Sequence, residues 1–127
     1  MILVDTSIWI DHLREAFPPL IKLLLDKRVA THPFVVGEIA LGSLKDRGRV
    51  LRNLSELPRT CMAEDHEVLS FVERFALHGR GIGYVDAHLL ASVKLTPETL
   101  LLTRDKRLRS VAEELGLAMA PTGLAPQ

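Results

Sequence analysis

Met1-Ile2-Leu3-Val4-Asp5-Thr6-Ser7 opens the chain with an apolar tetrad that stops on an acid and two hydroxyls. Four consecutive apolar residues suit a short strand buried on both faces, as in parallel sheets. The hydroxyls of Thr6 or Ser7 can accept from the first free amides of a helix, so a helix is expected from there to about Arg14. Leu100-Leu101-Leu102-Thr103-Arg104-Asp105 repeats the pattern and predicts the clearest internal strand, with a helix from Lys106 to about Leu115. Between them, Pro18 and Pro19 open a helix reaching about Lys27, and Pro33 opens another to about Leu44. Glu64 to His78 reads as an amphipathic helix with acids in its first turn, and Tyr84 to Lys94 as a further helix. Val29–Thr31, Arg59–Met62 and Leu117–Ala120 are weaker strand candidates, Lys45–Arg52 a basic polar segment, and 79–83 a glycine-rich break. Short apolar strands alternating with helices predict a three-layer α/β/α domain whose central, mainly parallel sheet has about five short strands.

The chain has 127 residues, of which 47% are hydrophobic and 25% charged. That length fits one domain, expected over residues 1–121 with a tail at 122–127, and the composition excludes disorder. Sixteen basic and sixteen acidic residues cancel. A sequence-blind polyanion binder, which gains affinity by displacing many counterions, is therefore disfavoured. A single cysteine, Cys61, permits no internal disulfide and suits a reducing cytoplasm. The N-terminal residues do not read as an export leader, so none is expected, and no apolar run approaches the roughly 18 residues that suggest a membrane span.

Four acids stand in unusual surroundings. Asp5 and Asp105 follow strands, where ligands of open α/β sheets bind, although an acid there is often only a helix cap. Asp86 falls within the helical stripe of Ile82, Val85, Leu89, Leu90 and Val93. Glu38 is the one charged residue between Pro33 and Ser43, in a segment apolar on nearly all sides. A carboxylate on a core-facing surface is costly unless paired, hydrogen-bonded or bound to metal. If Asp5, Glu38, Asp86 and Asp105 converge, their repulsion calls for a hard divalent cation, Mg²⁺ or Mn²⁺, of the kind that activates water and neutralises charge at a phosphate. Thr6, Ser7 and Thr103 lie beside the strand-end acids and could orient ligands or water.

The other residues narrow the choice. His12, His32, His66, His78 and His88 show no zinc-hydrolase spacing, and His88 reads as a surface residue. There is neither a Walker A nor a dinucleotide fingerprint. Cys61, Trp9 and Phe34 read as packing residues. One basic cluster is Lys45, Arg47, Arg49 and Arg52. The other, Arg104, Lys106, Arg107 and Arg109, flanks Asp105, where Arg104, Lys106 and Arg107 could meet a phosphodiester backbone.

Met1-Ile2-Leu3-Val4-Asp5-Thr6-Ser7-Ile8-Trp9-Ile10-Asp11 resembles the opening of PIN-domain proteins, particularly VapC-type toxins. Val36-Gly37-Glu38-Ile39-Ala40-Leu41-Gly42, Gly83-Tyr84-Val85-Asp86-Ala87-His88-Leu89-Leu90-Ala91-Ser92 and Leu101-Leu102-Thr103-Arg104-Asp105-Lys106-Arg107-Leu108 resemble the family's remaining motifs, in family order. Lys106 and Arg107 stand where some members carry a further acid. The resemblance implies a Mg²⁺- or Mn²⁺-dependent endoribonuclease, the toxin of a type II toxin–antitoxin pair, with Asp5 and Asp86 as leading metal ligands and Glu38 and Asp105 completing the cluster. It also implies RNA as substrate, a VapB-type antitoxin as partner, and a homodimer. A non-catalytic RNA-binding or regulatory module of the same fold is the alternative. A phosphoacceptor domain ranks last, since Asp5-Thr6-Ser7 offers no acid pair.

Overall fold

The computed structural model describes residues 1–119. Its elements run β1 (Ile2–Val4), α1 (Thr6–Arg14), α2 (Pro18–Leu25), β2 (Val29–Ala30), α3 (Pro33–Ala40), α4 (Arg47–Ser55), α5 (Asp65–Arg74), α6 (Tyr84–Leu95), β3 (Leu100–Leu102) and α7 (Lys106–Glu114). The sheet has the order β2-β1-β3, with β1 central and both pairings parallel. Ile2 lies opposite Val29 on one side and Leu100 on the other, and Val4 opposite Leu102. The apolar tetrad is thus a middle strand, with Ile2, Leu3 and Val4 all buried.

The expected five strands are three among the described residues. Two of the weaker candidates contribute single parallel bridges, Thr31 with Arg59 and Leu101 with Ala118. Each makes a few backbone bonds, such as Thr60 N to Thr31 O, without extending into a ladder. Ala120 and the expected tail at 122–127 lie outside the described residues.

Several boundaries moved for local reasons. The cap of α1 is Asp5, one residue before the expected hydroxyls, and its Oδ1 accepts from Thr6 N at 2.7 Å. Helix α3 stops at Ala40 instead of Leu44, because the Arg47 guanidinium donates twice to the Ala40 carbonyl, at 2.9 and 3.0 Å. The basic segment after it is a helix, α4, whose Leu54 is buried and whose Val50 and Leu51 pack on the core. Counting its charges hid that stripe. Helix α5 ends at Arg74, short of His78, with Ala76 in the left-handed region at φ 52°. Among the described residues no helix is long and apolar enough to cross a membrane.

Helix α6 is buried continuously from Ala87 to Val93, His88 and Ser92 included. His88 is therefore a core residue, contrary to expectation, since a helix enclosed on most sides carries its polar positions inward with the rest. Cys61 errs the other way. It is exposed in the connection before α5. Trp9 is buried as expected, and Phe34 packs against the rings of His32 and His88.

Candidate active site

Parallel pairing of β1 with β3 brings two acids to one end of the sheet. Asp5 N donates to Leu102 O at 3.0 Å, so the chain just beyond β1 lies against the end of β3. Asp105 comes two residues later on its own strand exit, and Thr103 spans the gap. Thr103 Oγ1 donates to Asp5 Oδ2 at 2.6 Å and accepts from Asp105 N at 3.1 Å. Ser7 Oγ also donates to Asp5 Oδ2, at 2.9 Å. Asp5 is buried, and Asp105 is exposed. Asp105 Oδ1 caps α7 by accepting from Arg107 N and Leu108 N.

Glu38 joins from α3. Thr6 Oγ1 donates to Glu38 Oε1 at 2.9 Å, while Thr6 N donates to Asp5. A continuous hydrogen-bonded line therefore runs Glu38–Thr6–Asp5–Thr103–Asp105. Glu38 is exposed, not enclosed as its apolar neighbours suggest. Val35 and Ile39 carry the buried face of α3, and Gly37 and Glu38 stand on its open side.

Asp86 is half-buried in the first turn of α6, where its Oδ2 accepts from Gly83 N at 3.1 Å. Burial pushes its carboxyl above the usual carboxylate range. The Gly83 amide opposes that shift, and the charges of Asp5, Asp105 and Glu38 add to it. Among the described residues, no three Asp, Glu, His or Cys side chains are close enough together to enclose a metal ion. The donor chemistry nevertheless suits a hard cation. Glu38 Oε2, Asp86 Oδ1 and Asp105 Oδ2 receive no hydrogen bond from any described residue, while the other oxygen of each is tethered. Tethering one oxygen orients the other.

The basic residues beside Asp105 divide. Arg104 is engaged, its Nη1 donating to Asp11 Oδ2 at 2.9 Å and its guanidinium lying 5.6 Å from the Phe17 ring centre. Lys106 and Arg107 are exposed at the start of α7, and Arg107 lies across Gly81. In the other cluster, Arg47 caps α3 and Arg49 pairs with Asp46. The feature missed from sequence is Asp11 as the partner of Arg104. Its place in the opening motif was visible, but nothing linear joins it to a residue 93 positions away.

The short parallel sheet thus carries an acid beyond each of two neighbouring strand ends, Asp5 and Asp105, both capping the next helix, while α3 and α6 carry Glu38 and Asp86. The chain belongs to the PIN-domain family, whose model matches residues 2–114. Within that family its likeness is to the VapC type. It is 50% identical over 120 residues to the protein called Ribonuclease VapC32 in Mycobacterium tuberculosis strains CDC 1551 / Oshkosh and ATCC 25618 / H37Rv, covering 94% of this chain and 97% of each relative.

Proposed function

We propose that this chain is a Mg²⁺- or Mn²⁺-dependent endoribonuclease, the toxin of a type II pair restrained by a VapB-type antitoxin, and that it acts as a homodimer in the cytoplasm. The observation that carries the reading is the line Glu38–Thr6–Asp5–Thr103–Asp105 beside Asp86, whose carboxyl is pushed up by burial and further by the charges of the other three acids. A purely structural cap would need neither the Thr6 and Thr103 bridges nor four mutually repelling acids. The relatives' name, Ribonuclease VapC32, supports the same activity.

Asp5 and Asp86 are assigned as leading ligands, with Glu38 and Asp105 completing the set. A hard divalent ion held there would offset the carboxylates' repulsion and, when bound, supply a polarised water and charge neutralisation at a phosphodiester. The protein's own part is orientation. Ser7 and Thr103 fix Asp5 through Oδ2. Thr6 fixes Glu38, and the Gly83 amide fixes Asp86. Lys106 and Arg107 place positive charge beside the acids, where a polyanionic strand must approach.

Protein freed of its partner should cut structured RNA with Mg²⁺ or Mn²⁺ and stop on addition of chelator. Asp5→Asn and Asp86→Asn should each abolish cleavage while the variants stay folded. Undiminished cleavage by either variant would falsify the assigned site.

A further inference from the structure

The turn between α1 and α2 borders a cleft of about 530 Å³ lined by Asp11, Arg14, Glu15, Ala16, Phe17 and Arg104. The Arg104 guanidinium stands over the Phe17 ring and is held by Asp11. Arg14 is exposed at the end of α1, with no ion pair among the described residues. The cleft is joined to the acidic site through one side chain, since Arg104 N donates to Ser7 Oγ at 3.2 Å and Ser7 Oγ donates to Asp5.

We propose that this cleft is a subsite for one nucleotide of a single-stranded RNA segment flanking the scissile phosphate, an inference whose ligand class rests on the ribonuclease reading. A guanidinium lying on a phenyl ring presents a flat, cationic π surface, and unstacked RNA bases bind to such planes. Arg14 supplies an uncommitted cation for the adjoining phosphate, since Arg matches phosphate geometry through paired donors. Asp11 keeps the Arg104 plane in position while partly neutralising it, and Glu15 adds a second negative charge. The subsite is therefore selective for a stacked base over bare polyanion. The bonds from Arg104 N to Ser7 Oγ and from Ser7 Oγ to Asp5 tie the subsite to the acidic site.

The test is binding of a short fluorescent oligouridylate to the whole protein in EDTA, which separates recognition from cleavage. Phe17→Leu keeps an apolar side chain in place and removes the ring, and should weaken binding about tenfold. Arg14→Ala should lower the slope of log affinity against log salt by about 0.7, one single-strand phosphate contact. Asp11→Asn should tighten binding, whereas Glu113→Gln, exposed on α7, should leave it unchanged. A structural role for Phe17 would lower the melting temperature and leave affinity and salt slope alone, and that result overturns the subsite. So does wild-type protein that fails to bind the RNA, or variants that bind it as wild type does. Weakened variants together with no RNA cleavage under any divalent ion would leave the subsite standing and sink the ribonuclease reading. Normal cleavage with unaltered variant binding would do the reverse.

Discussion

Acidification should destabilise this protein through one buried imidazole, His32. The residue precedes Pro33 and caps α3, its Nδ1 accepting from Phe34 N at 3.0 Å. Because Nδ1 accepts, the ring's proton is on Nε2, which donates to Ser92 Oγ at 3.0 Å. Ser92 Oγ accepts also from Ala63 N at 3.1 Å, so three segments meet at one hydroxyl. Burial, with the nearby His88 and Arg59 adding to it, pushes the His32 imidazole down to about 4 from its ordinary 6.5. Above pH 6.5 the ring is neutral in both folded and unfolded chains, and the group has no effect. Between 6.5 and 4 the unfolded chain binds a proton that the folded chain does not, so stability falls as pH falls. The loss from this residue reaches roughly 2 kcal/mol at pH 5 and about 3 kcal/mol below pH 4. Urea unfolding from pH 7.5 to pH 4.5 should show it in wild type. His32→Asn keeps a capping oxygen without a titrating ring and should be flatter by that amount. Parallel pH profiles for the two proteins would refute the argument.

Millimolar Mg²⁺ or Mn²⁺ should raise the melting temperature by relieving the acids' repulsion. Ten times the dissociation constant is worth about 1.4 kcal/mol, and Asp86→Asn should abolish most of the rise. Gly79 and Gly81 both have positive φ, 72° and 81°, so alanine at either should cost about 1–2 kcal/mol in chemical denaturation. Only at Gly81 would the new Cβ lie 2.8 Å from Arg107 Cδ and Nη1, so only Gly81→Ala should also weaken RNA binding in an anisotropy titration. Ser92→Ala removes the shared acceptor of His32 Nε2 and Ala63 N and should cost about 2 kcal/mol or more in the same unfolding assay.

The elements legible in sequence were those whose environment is uniform along the chain. Ile2–Val4 and Leu100–Leu102 are buried with little interruption, so an unbroken apolar run reported them directly. Prolines marked the starts of α2 and α3 because they fit only the first turn. Helix α4 was obscured because four of its nine residues are Arg or Asn, and the apolar face of Val50, Leu51 and Leu54 is too short to dominate. Of the site, the acids' identities could be read and their exposures could not. Hydropathy averages over a helix's faces, so it enclosed Glu38 in neighbours that point elsewhere. Asp86 fared better because its own face, with Leu89, Leu90 and Val93, is the buried one. The Asp11–Arg104 pair and the His32–Ser92 bond join residues 93 and 60 positions apart. Only tertiary packing creates them.

For Asp5 and Asp105, capping a helix and standing at a strand end are one property. Each ends a strand, and each gives Oδ1 to amides of the following helix, where the helix dipole favours negative charge. That local support offsets part of the cost of holding two carboxylates at adjacent strand ends. What brings them together is register. Val4 lies opposite Leu102, so Asp5 is level with Thr103, and Thr103 Oγ1 meets both acids. A slip of one residue between β1 and β3 would turn Thr103 to the other face and break the bridge, leaving each cap intact. The buried aliphatic pairs Leu3–Leu101 and Val4–Leu102 therefore do more than stabilise the sheet. By fixing that register, they set the distance between the two acids.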